Sequence, residues 1–495
     1  MKILFVQPKA GFLMRGTTYP VCRSILVTAT YMKSLGHEVM IFDKCIDFRK
    51  SKKVIDSFNP EMVMIYVPPT ADLEDSVEIS KLSKEKGAVT VWAEVVASAL
   101  AEQIVEKGFS DFVITGETEA KLESLIKELS GNRDFESIPG LTFLNGAKAV
   151  TTPNANNSDI ENLPVIDWDL VDVKKCFREF PHCKRMLYMY TSRGCPNKCA
   201  FCYNTIFYNS GYRKRPLKYF LEEVKYLEEK YQLDGVNFSD EVLIFTDDEI
   251  NQLAEFRKEN NLSFVWGGQT RADTYNSEET LRKMYDAGCR WLLLGLETGS
   301  AETRRRINKQ MNHDLIREFV DKCTRAGIST FGSFIFGFPG ETPEQLKETA
   351  QFALSLNLDA FLVNYFVLIP KTPICNSLEA ENKVDISGIL NGENAFKQFQ
   401  MLTSNYSQIP DRELKVVKSY FDWLSFTRKK AESKQKNMIF RKAVDALKHF
   451  AEGDIKSSFN NVYSAAKTFF TVVFYSHAFP KIIKKYGLYN VNKKK

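Results

Sequence analysis

Thr191-Ser192-Arg193-Gly194-Cys195-Pro196-Asn197-Lys198-Cys199-Ala200-Phe201-Cys202-Tyr203-Asn204 holds three of the chain's ten cysteines within eight residues. Their spacing is C-x3-C-x2-C, with Gly194 and Pro196 on either side of the first. A segment this short can fold three thiolates around one metal centre and cannot form three disulfides. Three thiolates satisfy three irons of a [4Fe–4S] cube, which normally takes four, so Cys195, Cys199 and Cys202 would leave one iron open. The competing reading is a structural zinc loop. Structural zinc takes four protein ligands, usually as two C-x2–4-C pairs, and no second pair or His-x3–5-His follows at suitable spacing.

At these residues the chain resembles the radical S-adenosylmethionine (SAM) enzymes, whose motif is C-x3-C-x-φ-C with an aromatic φ, here Phe201. The resemblance implies that SAM chelates the open iron through its amino and carboxylate groups. An electron from the reduced cluster then breaks the sulfonium bond, giving methionine and a 5′-deoxyadenosyl radical. The cofactor carries that chemistry, while the protein orients it and excludes water.

Around the cysteine stretch, residues 187–370 divide into six strand–helix units. Strands are expected at 187–191, 235–239, 263–267, 291–295, 330–336 and 360–365. Helices are expected at 217–230, 247–259, 277–287, 314–326 and 343–356. This matches the partial (β/α)6, TIM-like barrel that the resemblance implies, and in α/β barrels the chemistry sits at the carboxyl ends of the strands. The cysteine loop follows the first strand there. By resemblance, Asp240 or Glu241 after the second strand helps hold SAM's amine, with Ser239 beside them in the SAM set, in a stretch that lacks the family's glycines. Arg271 after the third would pair with its carboxylate as a fixed fork. Glu297 after the fourth would take the ribose hydroxyls, Gly337 and Pro339 after the fifth would approach the adenine or ribose, and Phe201 and Tyr203 complete the SAM set. The plainer readings are barrel-mouth salt bridges for Asp240, Glu241 and Arg271, a helix cap for Glu297, and a turn for Gly337 and Gly340. Cys289 and Cys323 fall near helix ends and read as core residues.

Residues 1–130 alternate short apolar runs with helical patterns, as a Rossmann-like parallel α/β sheet does. Strands are expected at 2–7, 38–42, 62–67, 89–92 and 112–115, and helices at 21–35, 72–86, 98–107 and 119–129. Ligands of open sheets bind beyond the carboxyl ends of the strands. The order of pieces, including Leu35-Gly36-His37-Glu38-Val39 and Asp111-Phe112-Val113-Ile114-Thr115-Gly116-Glu117-Thr118-Glu119, resembles the cobalamin-binding domain found upstream of many radical SAM cores. Through that likeness Pro8, Gly11, Pro69, Thr70, Glu94, Val95, Gly116 and Glu117 are the cobalamin candidates. The family often has Gly-Gly-x-His where this chain has Ala93-Glu94-Val95-Val96, and no Asp-x-His-x-x-Gly offers a ligand to cobalt. His37, before a strand, reads as a turn residue.

Residues 131–186 read as a linker, and residues 371–495 as a helical C-terminal region with helices at 411–430, 438–451 and 456–474. The apolar run 469–475 beside Lys481, Lys484, Lys485 and Lys493–Lys495 reads as a helix packed on the core with a solvated basic tail. A seat on a membrane surface is the second reading.

Composition bounds the rest. Hydrophobic content of 44% and charged content of 26% suit a soluble globular chain of two or three domains. A net charge of +5 demands no nucleic acid. No signal peptide or transmembrane run is expected, and the other seven cysteines read as reduced thiols, so the expected location is cytoplasmic. The resemblance implies a class B, cobalamin-dependent enzyme that methylates an unactivated carbon. The alternative is a non-methylating cyclisation, rearrangement or oxidation with the same cofactors. A tRNA methylthiotransferase should bring three more cysteines upstream, and residues 1–175 hold only Cys22 and Cys45. A non-enzymatic iron–sulfur or corrinoid carrier is a further alternative. The expected partners are a small-molecule, lipid or peptide substrate and an electron donor such as flavodoxin or ferredoxin, with the chain acting as a monomer. The catalytic side chains are unknown from sequence.

Overall fold

The computed structural model describes residues 1–9, 23–69, 71–154, 159–208, 211–386, 404–427, 480–486 and 488. Gly11, Thr70, Cys22, the helices expected at 438–451 and 456–474 and the apolar run 469–475 lie outside the described residues.

The first sheet comprises β1 (Lys2–Gln7), β2 (Glu38–Asp43), β3 (Met62–Tyr66), β4 (Val89–Ala93), β5 (Phe112–Ile114), β6 (Leu141–Asn145) and β7 (Lys148–Thr151), in the order β2-β1-β3-β4-β5-β6-β7. The first five are parallel, and β6 and β7 add on antiparallel. Every residue of β3 is buried, as a strand covered on both faces requires. The pleat sends alternate residues to different cores: Val63 and Ile65 pack with Trp92 on one face, Met62 and Met64 with Phe112 on the other. Strand order reverses between β1 and β3, which makes their carboxyl ends the switch point of the sheet.

The second sheet comprises β8 (Arg178–Phe180), β9 (Cys183–Met189), β12 (Gly235–Phe238), β13 (Val265–Thr270), β14 (Cys289–Glu297), β15 (Ser329–Phe336) and β16 (Ala360–Tyr365). The two-residue strands β10 (Ser192–Arg193) and β11 (Arg213–Lys214) form a separate antiparallel clasp. The six strands from β9 to β16 run parallel in the order of a partial barrel, with β8 antiparallel at the outer edge. The helix Asp411–Thr427 covers the opposite edge. Its Phe421 ring stands 5.1 Å from Phe361 and 5.7 Å from Phe336. Ser425 Oγ accepts from the Phe361 amide and donates to the Phe361 carbonyl, occupying edge groups that would otherwise invite another strand.

The structure is thus an α/β fold of a parallel sheet, a curled half-barrel and a helical C-terminal region. Three details differ from the sequence reading. The stretch 131–186 is not only a connection, since β6, β7, β8 and the start of β9 lie in it. The helix expected at 98–107 is two, Val95–Ala99 and Ala101–Glu106, broken at Leu100, and Ser51–Phe58 is an additional helix. Nine cysteines are free thiols, and among the described residues no helix is long and apolar enough to cross a membrane.

Candidate active site

The cysteine loop leaves β9 and is held by groups on neighbouring elements. Asp240, buried after β12, accepts from the Thr191 amide at 3.1 Å, from the Thr191 hydroxyl at 3.0 Å and from the Ser192 hydroxyl. Glu241 accepts from the Gly194 amide at 3.0 Å, where Gly194 takes the left-handed φ of 82° that starts the loop. Tyr203 and Tyr208 also donate to Glu241, at 3.3 and 3.2 Å. Asn204 Nδ2 donates to the Cys195 carbonyl at 3.1 Å, and Asn197 Nδ2 points at Cys195 Sγ from 3.4 Å.

The three cysteines line one cavity of about 1500 Å3 that runs down the barrel bore. Burial pushes the Cys202 thiol up to about 12 and raises Cys199, and the neighbouring cysteines add to both shifts. Such thiols become thiolates only against added positive charge, which irons would supply. Among the described residues no three His, Cys, Asp or Glu side chains, the loop cysteines included, are grouped so as to hold a single metal ion. Three thiols open to a cavity fit a centre that takes its other ligands from sulfide and a cofactor.

Of the residues read for SAM, Phe201, Tyr203, Ser239, Asp240, Glu241, Arg271 and Glu297 line this cavity, whereas Gly337 and Pro339 do not. Arg271 forms a bidentate pair with Asp273, at 2.8 and 2.6 Å, and donates to the Gln310 carbonyl at 3.1 Å. Glu297 sits at a bulge at the end of β14 with a φ of 58°, rare for a residue with a side chain, and pairs with buried Lys309 at 2.7 Å. Lys309 carried no signal in the sequence. It lies near enough to Cys199 and Cys202 to favour their thiolates.

The turn at Gly337 is organised by a further carboxylate, one that the sequence reading left without a role. Glu341 is fully buried, and its Oε2 accepts from the Gly337 amide at 2.7 Å and the Phe338 amide at 3.3 Å. Burial raises it to about 7, although those two amides and Arg306 act in the other direction. An unfolded carboxyl titrates near 4.3, so between about pH 4.3 and 7 the folded chain holds the extra proton. The stabilisation is complete below that window and is lost as pH rises through it, by about 3–4 kcal/mol from this one group. Denaturant titrations at several pH values should show this slope, and Glu341→Gln should flatten it.

The cobalamin candidates fall into two groups. Pro8 and Pro69 stand beyond the carboxyl ends of β1 and β3, at the switch point. Of the other four described candidates, Val95, Gly116 and Glu117 stand against residues of the cysteine loop and its clasp, and Glu94 against the first helix. Val95 packs on Phe207 and Tyr208, and the Glu94 carboxylate accepts from Ser24. Gly116, at φ 79°, lies so close to the Phe207 carbonyl that a Cβ would come within 2.8 Å. Glu117 accepts from Arg193 at 3.0 Å and Arg213 at 2.9 Å, on the clasp β10–β11. Glu119 joins them, accepting from Arg193 at 2.9 and 3.1 Å. Opposite charges here are buried together, so the sheet's carboxyl edge is fastened to the root of the cysteine loop.

Residues 189–353 match the radical SAM superfamily. An uncharacterised methyltransferase of Pyrococcus horikoshii is 26% identical over 372 residues, 72% of this chain and 79% of its own length. An anaerobic magnesium-protoporphyrin IX monomethyl ester cyclase of Rubrivivax gelatinosus is 25% identical over 387 residues, 75% of this chain and 68% of the cyclase. Among solved structures, the cobalamin-dependent SAM radical enzyme OxsB, with aqua-cobalamin and SAM bound, shares the fold. Its TM-score is 0.68 at 14% identity, covering 98% of this chain and 80% of OxsB.

Proposed function

We propose that this radical SAM enzyme is cobalamin-dependent and methylates an unactivated carbon. The observation that supports it most is the fastening of a sheet with the 2-1-3-4-5 parallel order onto the root of the cysteine loop through Glu117, Glu119, Arg193 and Arg213. A cofactor at that sheet's switch point would lie on the side of the sheet that meets the loop. When bound, the cluster and SAM supply a 5′-deoxyadenosyl radical and cobalamin supplies a transferable methyl group.

The chain's own residues hold and orient. Cys195, Cys199 and Cys202 would bind three irons, and Lys309 and Arg271 place positive charge beside those sulfurs. Glu241 fixes the loop through the Gly194 amide, and Tyr203 and Tyr208 steady Glu241. The cavity wall offers Glu297 and Arg271 to a zwitterionic ligand, and Pro8 and Pro69 flank the switch point for a corrin. Further down the bore, Phe180 packs on Trp291 and Phe331, with ring centroids 4.7 and 5.5 Å apart, and forms an aromatic floor. A large cavity with an aromatic floor suits a small-molecule, lipid or peptide substrate.

The cyclase relative supports a second reading, radical chemistry on the same cofactors without methyl transfer. Reduced holoenzyme given SAM with a deuterated methyl group separates the two. Methylation predicts deuterium in the product and S-adenosylhomocysteine alongside 5′-deoxyadenosine. The second reading predicts 5′-deoxyadenosine alone.

A further inference from the structure

One segment connects the outside of the molecule to the cysteine thiols. The helix Ala301–Arg306 runs into residues 307–310, which bond the cysteine loop twice. The Ala200 amide donates to the Ile307 carbonyl at 2.9 Å, and Asn308 Nδ2 donates to the Lys198 carbonyl at 2.9 Å. On its inner side this segment carries Lys309, buried among the cavity groups. On its outer side Arg305, Arg306 and Asn308 are exposed, and so is Lys198, between two of the cysteines. Beside them is a hollow of about 790 Å3 walled by Arg304, Arg305 and Arg317, among others.

Bases outnumber acids on this face, although Asp273 and Asp314 also line the hollow. Residues 301–317 contain five Lys or Arg against two acids, and the cysteine loop from 190 to 208 contains no acid at all. Among the described residues the ion pairs of Arg305 and Arg317 are to acids on their own helices, Arg305 with Glu302 and Arg317 with Asp314 at 3.0 Å, while Arg317 also reaches the Ser355 hydroxyl at 3.5 Å and lies over the Phe352 ring. Exposed pairs of this kind cost little to exchange for another carboxylate.

We propose that this face is the docking surface for an acidic one-electron carrier of the flavodoxin or ferredoxin type. The proposal rests on the radical SAM reading, in which each SAM cleavage consumes one electron. The carrier loses that electron and the cluster gains it, so the carrier leaves oxidised by one. Complementary charge speeds encounter and selects the partner. Of the exposed groups described, Lys198 lies within the cluster loop itself, so a carrier seated here is separated from the sulfurs by little more than one turn of chain.

The test follows bleaching of the cluster absorbance in cobalamin-loaded, reconstituted protein by stopped flow, with either reduced flavodoxin or dithionite as donor. A double variant, Arg305→Glu with Arg317→Glu, should slow reduction by flavodoxin at least tenfold while leaving reduction by dithionite within twofold. For the unsubstituted protein the flavodoxin rate should fall as ionic strength rises from about 0.01 to 0.15 M, over which the screening length shortens from about 30 to 8 Å. Binding of oxidised flavodoxin, measured by calorimetry, should weaken in the same variant. An unchanged flavodoxin rate in the variant would overturn the proposal, and so would equal slowing with both donors. An unsubstituted protein that dithionite cannot reduce would instead sink the cluster reading on which the docking surface depends.

Discussion

Replacing Cys195, Cys199 or Cys202 singly with alanine is expected to abolish SAM cleavage and to lower bound iron after reconstitution. Each thiol opens onto the same cavity, and a cube with three protein ligands has no spare one to lose. The loss of activity should exceed the roughly 10–100-fold that follows removal of an outer-shell partner of a metal ligand. Cys45→Ala is the matched control. Cys45 is half-buried after β2, near the Gln7 side-chain amide, and does not line the cavity of the loop cysteines, so its replacement should leave iron content unchanged. Iron and sulfide analysis together with 5′-deoxyadenosine formation reads both results. Full iron retention in the Cys199 variant would remove that residue from the ligand set.

Arg193→Met should be among the most destabilising single substitutions outside the apolar cores. Arg193 is buried, and burial alone would lower its pKa, but Glu119 and Glu117 hold it well above the ordinary arginine value. Removing the guanidinium leaves two buried carboxylates without their shared cation, Glu117 keeping Arg213 and Glu119 keeping the Thr28 hydroxyl. Breaking a buried pair in this way costs about 3–5 kcal/mol. Lys127→Met, which breaks the exposed pair with Glu123, should cost under about 1 kcal/mol. Denaturant midpoints compare the two. The Arg193 variant should also lose cluster during purification, because β10 leads directly into the cysteine loop. A change below 1 kcal/mol would mean that the network does not fasten the sheet to the loop.

Much of the fold was legible because local signals agreed with one another. β1, β16 and the helix Asp247–Glu259 fall on the residues expected of them. In the helix, Thr246 and Glu249 form a capping box, a start signal contained within four residues of sequence. Ser51–Phe58 was missed because eight residues give only two turns of periodicity, and its N-cap, Lys50, makes no side-chain cap. β6 and β7 were read as linker because two short antiparallel strands at the edge of a parallel sheet carry no crossover helix to announce them.

The site was legible to a different depth. The cysteine spacing is contained in one loop and needed no fold to be read. Charged residues at strand ends were found, but their partners were not. Asp240 and Glu117 look alike in sequence, each a carboxylate just past a strand. The fold gives Asp240 to Thr191 and Ser192, and Glu117 to Arg193, 76 residues away. Lys309 had no motif around it, and only the fold brings it to Glu297; Glu341 stood in the turn motif after β15, but nothing in that motif told that its carboxylate folds back onto the Gly337 amide.

The central claim is that one chain serves a cluster with SAM and a corrinoid together. Anaerobically purified, reconstituted protein loaded with hydroxocobalamin and freed of excess by gel filtration tests it most directly, through iron, sulfide and the corrinoid absorbance, followed by reductant and SAM. The expected result is near-stoichiometric corrinoid retained beside one four-iron cluster, with 5′-deoxyadenosine formed on reduction. A protein that cleaves SAM but elutes without corrinoid would contradict the two-cofactor account and leave the radical core standing alone.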